Sequence, residues 1–470
     1  MLFVLGLAIL VCAGISLHFG DPRNVQSGLA LAGALVISFG ALTAVFTRGR
    51  IDLSRRDGFG IVTLGWVFAS LFGALPYLLT GTISHPVSAV FETMSGFTTT
   101  GASVLTDLEH FPRGVLFWRA LTHWFGGMGV LVLCVAILPF LGVGGMQIYR
   151  AEMPGPSKDR LTPRIATTAK LLWGVYVLLC AFLTILLCLG GMSLFDALCH
   201  TFATMATGGF STRTLSVGAY DSAYFDVVII VFMFLAGTNF ALHYRALTGR
   251  PLTYFRDSEF VYYLVFWAAA CLFLTFNVWG TVYDSFGDSL RAAFFQGTSI
   301  MTTTGFVTAD FDLWPHASRI LLVLLMFIGG CAGSTGGGIK VIRVVIVLKK
   351  VRRELRRFVR PQAIWPIKLR RKPVDQSIVS HISGFFVMFV VLFACITFVM
   401  TFFTPDVETA FSSVIATMGN IGPGLAGVGA VQNYADIPAA GKAILTFCML
   451  LGRLELYTVL IVLLPSTWHK

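Results

Sequence analysis

Apolar residues run along this chain in blocks, separated by short polar and glycine-rich stretches. A helix that crosses a bilayer needs about twenty apolar residues, and many of these blocks are that long. Two blocks, roughly 1–19 and 28–47, open the chain and are joined by the turn-like GDPRN at 20–24. After them the pattern changes to a unit that recurs four times: a long apolar span, a short apolar segment, a Thr/Gly loop, and another long span. The loops are TTTGA at 98–102, ATGGF at 206–210, TTTGF at 302–306 and GNIGP at 419–423. Twelve residues before Gly101, Gly209, Gly305 and Gly422 stand Ala89, Ala197, Ala293 and Ala410, so the copies align without a gap.

The short segments before the loops, such as 86–97, are too short to cross a membrane. They predict re-entrant pore helices, whose backbone must be buried by protein or lined by water. The predicted organisation is an all-α polytopic membrane protein. Two N-terminal helices occupy 1–50, and the repeats occupy 51–141, 142–247, 248–373 and 374–470. Further helices are predicted near 58–80, 113–140, 376–402 and 440–464, with ten full spans in all.

Four similar loops can form a ring, and Thr and Gly suit a ring that binds a dehydrated cation. Glycine permits unusual backbone angles and close approach, threonine hydroxyls brace the loop, and inward carbonyls replace the ion's water shell. A single TTTG reads equally well as a turn or a helix contact. Four copies at one internal spacing favour the ring.

Composition supports the membrane reading: 56% of residues are hydrophobic and 12% charged, with 42 phenylalanines and mean hydropathy +0.80. The first block lacks a basic leader region and a small-residue cleavage site, and is expected to be a span rather than a signal. The nine cysteines have no metal spacing and suggest neither a disulfide framework nor a metal site. The net charge of +11 does not point to nucleic acid, because the basic residues gather between repeats: Arg48 to Arg56, the linker 142–165, and Arg245 to Arg256. This predicts cytoplasmic linkers and termini, with the filter loops facing outside. Asp107, Glu109, Asp221, Asp226, Asp310 and Asp312 follow the loops. They are placed either to concentrate cations at the mouth or as ordinary solvated residues.

Two irregularities stand out. The second helix of repeat three is interrupted by GGCAGSTGGGIK at 329–340. Each glycine costs a helix about 1 kcal/mol against alanine. The run predicts a break at membrane depth and a mobile gate formed by Gly333, Ser334, Thr335, Gly336, Gly337, Gly338 and Lys340; the plainer reading is a small-residue packing patch. It is not a phosphate-binding loop, since Ile339 separates Gly338 from Lys340 and Val341 follows. The second irregularity is Arg453, in mid-span, where a charge costs on the order of 3 kcal/mol. In register with the other repeats it matches Gly127, Gly237 and Gly330, which predicts a positive charge facing the pore and restraining flux, against a structural ion pair. The basic run 349–372 suits anionic lipid head groups, an acidic cytosolic partner, or a topology signal alone. His123, Asn239 and His243 are expected to bond between helices.

Taken together, the four loops, the third-repeat GGCAGSTGGGIK and the late arginine resemble the Trk/Ktr/HKT superfamily of potassium transporters. The two extra N-terminal helices are similar to its TrkH/TrkG branch. The resemblance implies potassium uptake by a bacterial inner-membrane subunit, a homodimer controlled by a TrkA-type cytosolic nucleotide-binding partner. It implies no catalytic residues and no cofactor in this chain, with potassium as the substrate. It implies potassium-binding filter residues at Thr99, Thr100, Gly101, Thr207, Gly208, Gly209, Thr303, Thr304, Gly305, Asn420, Ile421 and Gly422. In plant relatives a serine at the first glycine accompanies sodium transport, so Gly101 favours potassium. Asn420, Ile421 and Pro423 depart from the Thr/Gly text and imply a less regular fourth filter. The competing reading is a secondary transporter that couples a cation to an organic solute through broken helices. The shared orientation of the four copies counts against it.

Overall fold

The computed structural model describes residues 1–46, 55–136, 161–369 and 372–468. The basic linkers around 48–56 and 142–165 lie mostly outside the described residues. The N-terminal pair is Leu2–His18 and Arg23–Phe46. Its close packing follows from small residues: a side chain on Gly6 would run into Gly33 and Ile37.

Each repeat has an outer helix, a pore helix and an inner helix. The outer helices are Arg55–Gly73 continued by Leu75–Thr80, then Leu161–Leu189, Ser258–Val278 and Gln376–Met400. They present apolar side chains outward, among them Phe182, Phe273 and Phe398, as lipid requires. The pore helices are Pro86–Phe97, Leu194–Met205, Phe286–Met301 and Val407–Met418. Their starts are fixed locally. The first begins with proline, and the others are capped by Ser193, Ser285 and Asp406, whose side chains accept from backbone N–H groups of the first turn. Their far halves are buried at the centre of the molecule, where all four loops meet.

The inner helices differ from one another. Arg113–Ala136 runs unbroken through Gly127. Ala223–Ala236 bends by 103° into Phe240–Leu247, and Ala439–Arg453 bends by 118° into Tyr457–Leu463. In the third repeat His316–Phe327 stops, a loop follows, and the helix resumes as Val341–Val359. The third break is the predicted one. Those of repeats two and four correct the expectation of continuous helices. Among the described residues five helices are long and apolar enough to cross a membrane, or seven with each bent pair counted as one span. The shortfall from ten comes partly from helices such as Leu2–His18 and His316–Phe327, which are apolar but short.

Candidate functional site: a ring of four turns over a broken layer

All four pore helices end in the same turn. The residue after the helix cap has a positive φ in each: 50° at Thr99, 55° at Thr207, 60° at Thr303 and 56° at Asn420. The next N–H reaches back five residues to the helix, from Thr100 to Ser95, Gly208 to Ala203, Thr304 to Ser299 and Ile421 to Ala416, each at 2.8 Å. This double return is the Schellman ending, in which the left-handed position is usually glycine. A β-branched threonine there is strained, and three of these turns carry it. Two residues on, Gly101, Gly209, Gly305 and Gly422 have φ of 82°, 81°, 80° and 99°.

These glycines close a ring. A Cβ on Gly101 would collide with the carbonyl oxygen of Gly208, one on Gly209 with that of Thr304, one on Gly305 with that of Ile421, and one on Gly422 with that of Thr100. Each repeat's glycine therefore abuts the carbonyl that precedes the next repeat's glycine, and the fourth returns to the first. The twelve predicted filter residues are brought together here. The fourth turn keeps the positive φ after its helix cap, but Gly422, at 99°, departs from the 80° to 82° of the other three glycines. The bracing varies as well. Thr98 is 2.8 Å from Thr100 and Thr302 is 2.7 Å from Thr304 through their hydroxyls. Asn420 Nδ2 instead donates to Thr100 Oγ1 and to the Met449 carbonyl, both at 3.0 Å. The Tyr434 hydroxyl donates to the Gly422 carbonyl at 2.7 Å.

His123 lies behind this ring. Its ring stacks on Phe210 at 4.1 Å and fills the space that a side chain on Gly208 would need. Neither of its ring nitrogens has a hydrogen-bond partner among the described residues, so it does not bond between helices as expected. His243 does, to the Tyr254 hydroxyl at 2.6 Å and the Leu235 carbonyl at 2.9 Å. Asn239 accepts from Ala241 N and restarts the bent inner helix of repeat two.

The glycine-rich loop packs directly beneath the ring. Gly337 N donates to Thr303 Oγ1 at 2.7 Å, which ties the loop to the turn of repeat three. The Thr335 hydroxyl sits 3.0 Å from the Met205 carbonyl and 3.1 Å from that of Ala236. Lys340 Nζ folds back on the Gly336 and Gly337 carbonyls. Glu259 holds both ends of the loop, since its Oε1 accepts from Ala332 N at 2.8 Å and Ile342 N at 3.2 Å. Sequence reading missed Glu259. The signal was an acid at the start of an apolar span, where only a buried task justifies the charge.

Arg453 meets the same loop. Its Nη1 donates to the Thr335 carbonyl at 2.7 Å and its Nη2 to the Gly126 carbonyl at 3.1 Å. It therefore spans from the fourth repeat to the third and the first. Glu455, two residues on, pairs with Arg343. The equivalent positions Gly127, Gly237, Gly330 and Arg453 fall at the level where three of the four inner helices break.

The acids after the filters are engaged in ties. Asp226 and Asp221 pair with Arg291, and Asp312 and Glu408 with Arg319. Glu109 bonds Thr214, N to Oε1 at 2.9 Å. Although partial burial works against it, the hydrogen bonds from Thr214 hold the Glu109 carboxyl below the usual range. Burial pushes the Asp312 carboxyl up to about 6.

The TrkH family profile, described as cation transport protein, matches residues 26–469. The Trk system potassium uptake protein TrkH of Halomonas elongata is 43% identical over 460 residues, covering 97% of this chain and 95% of its own. The protein of the same name from Escherichia coli K12 is 44% identical over 423 residues, covering 89% and 87%. The crystal structure of the potassium transporter TrkH from Vibrio parahaemolyticus superposes with a TM-score of 0.91 at 37% identity, over 100% of this chain and 97% of that one. On these matches, this multi-pass membrane chain belongs to the TrkH family of cation transport proteins.

Proposed function

We propose that the chain takes up potassium through a pore whose selectivity filter is the ring of four turns. The carbonyls of Thr99, Thr100, Thr207, Gly208, Thr303, Thr304, Asn420 and Ile421 replace the ion's water shell, and the four glycines let the loops close around it. One observation carries this reading: four turns with the same backbone close head to tail, glycine against carbonyl, at every junction. The pore helices direct the negative ends of their dipoles to that centre, which favours a cation.

The loop from Gly333 to Lys340 is the gate. It hangs from Thr303 above and is clasped by Arg453 below, so displacing it changes both contacts. The relatives' shared name, Trk system potassium uptake protein, supports potassium as the substrate and a Trk-system setting. In that setting the chain sits in the bacterial inner membrane as a homodimer, with filters outward, termini inward and a TrkA-type cytosolic partner moving the gate. The basic helix Val341–Val359 leads from the gate toward that side and suits contact with the partner or with anionic lipid.

The test is potassium and sodium flux into liposomes carrying wild type or Gly101→Ser, with the cytosolic partner supplied. Wild type should prefer potassium, and the serine, forced against the Gly208 carbonyl, should erode that preference. Equal flux of both ions in both proteins would overturn the filter assignment.

A further inference from the structure

Behind the first filter turn lies a buried ion pair that the pore itself does not require. Glu92 stands on the first pore helix and Arg119 on the first inner helix, and Arg119 Nε donates to Glu92 Oε1 at 2.9 Å. The two side chains are 2% and 0% exposed, and no other ion pair among the described residues is enclosed so fully. Such a pair is a poor device for stability, because desolvating two charges offsets most of their attraction. Its partners indicate what it does.

Every partner is a filter exit. Glu92 Oε1 also accepts from Ser103 Oγ at 3.0 Å, and its Oε2 accepts from Val104 N at 2.9 Å, just past Gly101. Arg119 Nη2 donates to Ser103 Oγ and its Nη1 to the Ser211 carbonyl, both at 3.1 Å. Its guanidinium lies 4.1 Å over the Phe210 ring. Phe210 and Ser211 leave the second filter turn. The Ser103 carbonyl in turn accepts from Tyr434 N at 2.9 Å, and Tyr434 is the residue whose hydroxyl holds the Gly422 carbonyl of the fourth filter. One ion pair thus joins the exits of turns one and two directly, and that of turn four through Ser103.

We infer that Glu92 and Arg119 are positioning residues that set cation specificity: a strut that fixes the spacing of three of the four filter turns. The inference rests on the filter reading above. A ring braced from behind cannot shrink around sodium, so the smaller ion loses its water without gaining close carbonyls. Potassium fits the fixed spacing. Loosening the strut lets the ring adapt, and sodium gains more than potassium.

The measurement is the ratio of potassium to sodium affinity of the purified full chain, by isothermal titration calorimetry, which does not need an open gate. Thermal midpoints report folding alongside. Glu92→Gln keeps the size but places an amide donor against either Val104 N–H or the Arg119 and Ser103 donors. Arg119→Lys cannot reach Glu92, Ser103 and Ser211 together. Both should narrow the ratio by about tenfold, the effect of one charge-assisted hydrogen bond felt by one ion and not the other. Ser103→Ala, which removes only the shared hydroxyl, should narrow it by about threefold and decides the matter if the buried-charge variants do not fold. Folded variants that keep the wild-type ratio would overturn the strut while leaving the filter intact. A wild type without potassium preference would remove both.

Discussion

The ring of four turns and the layer directly beneath it are built from the same four repeats and treat the repeat differently. In the ring the four copies converge: the positive φ values after the helix caps span only 50° to 60° across threonine and asparagine alike. One turn further into the membrane the copies diverge, into an unbroken helix, two sharp bends and a loop. On the proposed function, a dehydrated ion asks for ligands on all sides, which suits a layer that repeats one solution, and a gate needs one element that moves against others that stay, which suits an asymmetric layer. The sharpest way to break this comparison is to disturb the ring at single copies. Gly209→Ala and Gly305→Ala each force a side chain into a left-handed backbone and against a neighbouring carbonyl. Both should reduce potassium flux in liposomes by more than about tenfold, to a similar extent, because every junction of a closed ring is equivalent. A variant that keeps wild-type flux would show that its copy lies outside the ring.

A smaller effect is expected one layer down, and of opposite sign. Arg453→Ala removes the donors to the Thr335 and Gly126 carbonyls, frees the loop from the fourth repeat, and removes a positive charge from beneath the filter. Potassium flux should rise severalfold, with the potassium-to-sodium ratio retained because the ring is untouched. Arg453→Lys, which keeps the charge but not the two-armed reach, should fall between. Unchanged flux from folded Arg453→Ala would mean that the arginine only supports the helix end.

How much of this was legible in the sequence follows the same division. The ring was readable because it is local: a pore helix, its ending and its glycine lie within a dozen residues, four times over. The loop of repeat three was readable because six glycines between 329 and 338 cannot continue a helix. The bends of repeats two and four were not. Repeat two turns on Gly237, Thr238 and Asn239, too short a signal among apolar neighbours. Repeat four turns at Leu454 to Leu456 with no glycine. There Glu455 takes a φ of 57° while paired to Arg343, 112 residues away in sequence. Long-range ion pairs hid the strut as well. Arg453 stood out as a mid-span charge, whereas Arg119, equally buried in its inner helix, passed unnoticed; its acid partner lies on another element.

The smallest effect probes whether the divergence extends to the outer rim. Between repeats three and four Arg319 gathers two carboxylates, Asp312 and Glu408, as Arg291 gathers Asp221 and Asp226 between repeats two and three. Burial, reinforced by Asp310 and Glu408, lifts the Asp312 carboxyl from 3.8 to about 6, against the pull of the Ala426 N–H and Arg319. From about pH 4 to 6 the folded chain therefore keeps a proton that the unfolded chain has released. Stability contributed by that proton is present below this window, falls as pH rises through it, and is lost above it. Asp312→Asn should remove this slope from the thermal midpoint and leave the variant slightly more stable than wild type at pH 8. The gain should be modest, since Asp312 is only half-buried and solvent screens its interactions. An undiminished slope in the variant would assign the titration to another group. A lower midpoint at pH 8 would show that the Asp312–Arg319 contact, at 3.7 Å, stabilises more than the buried charge costs.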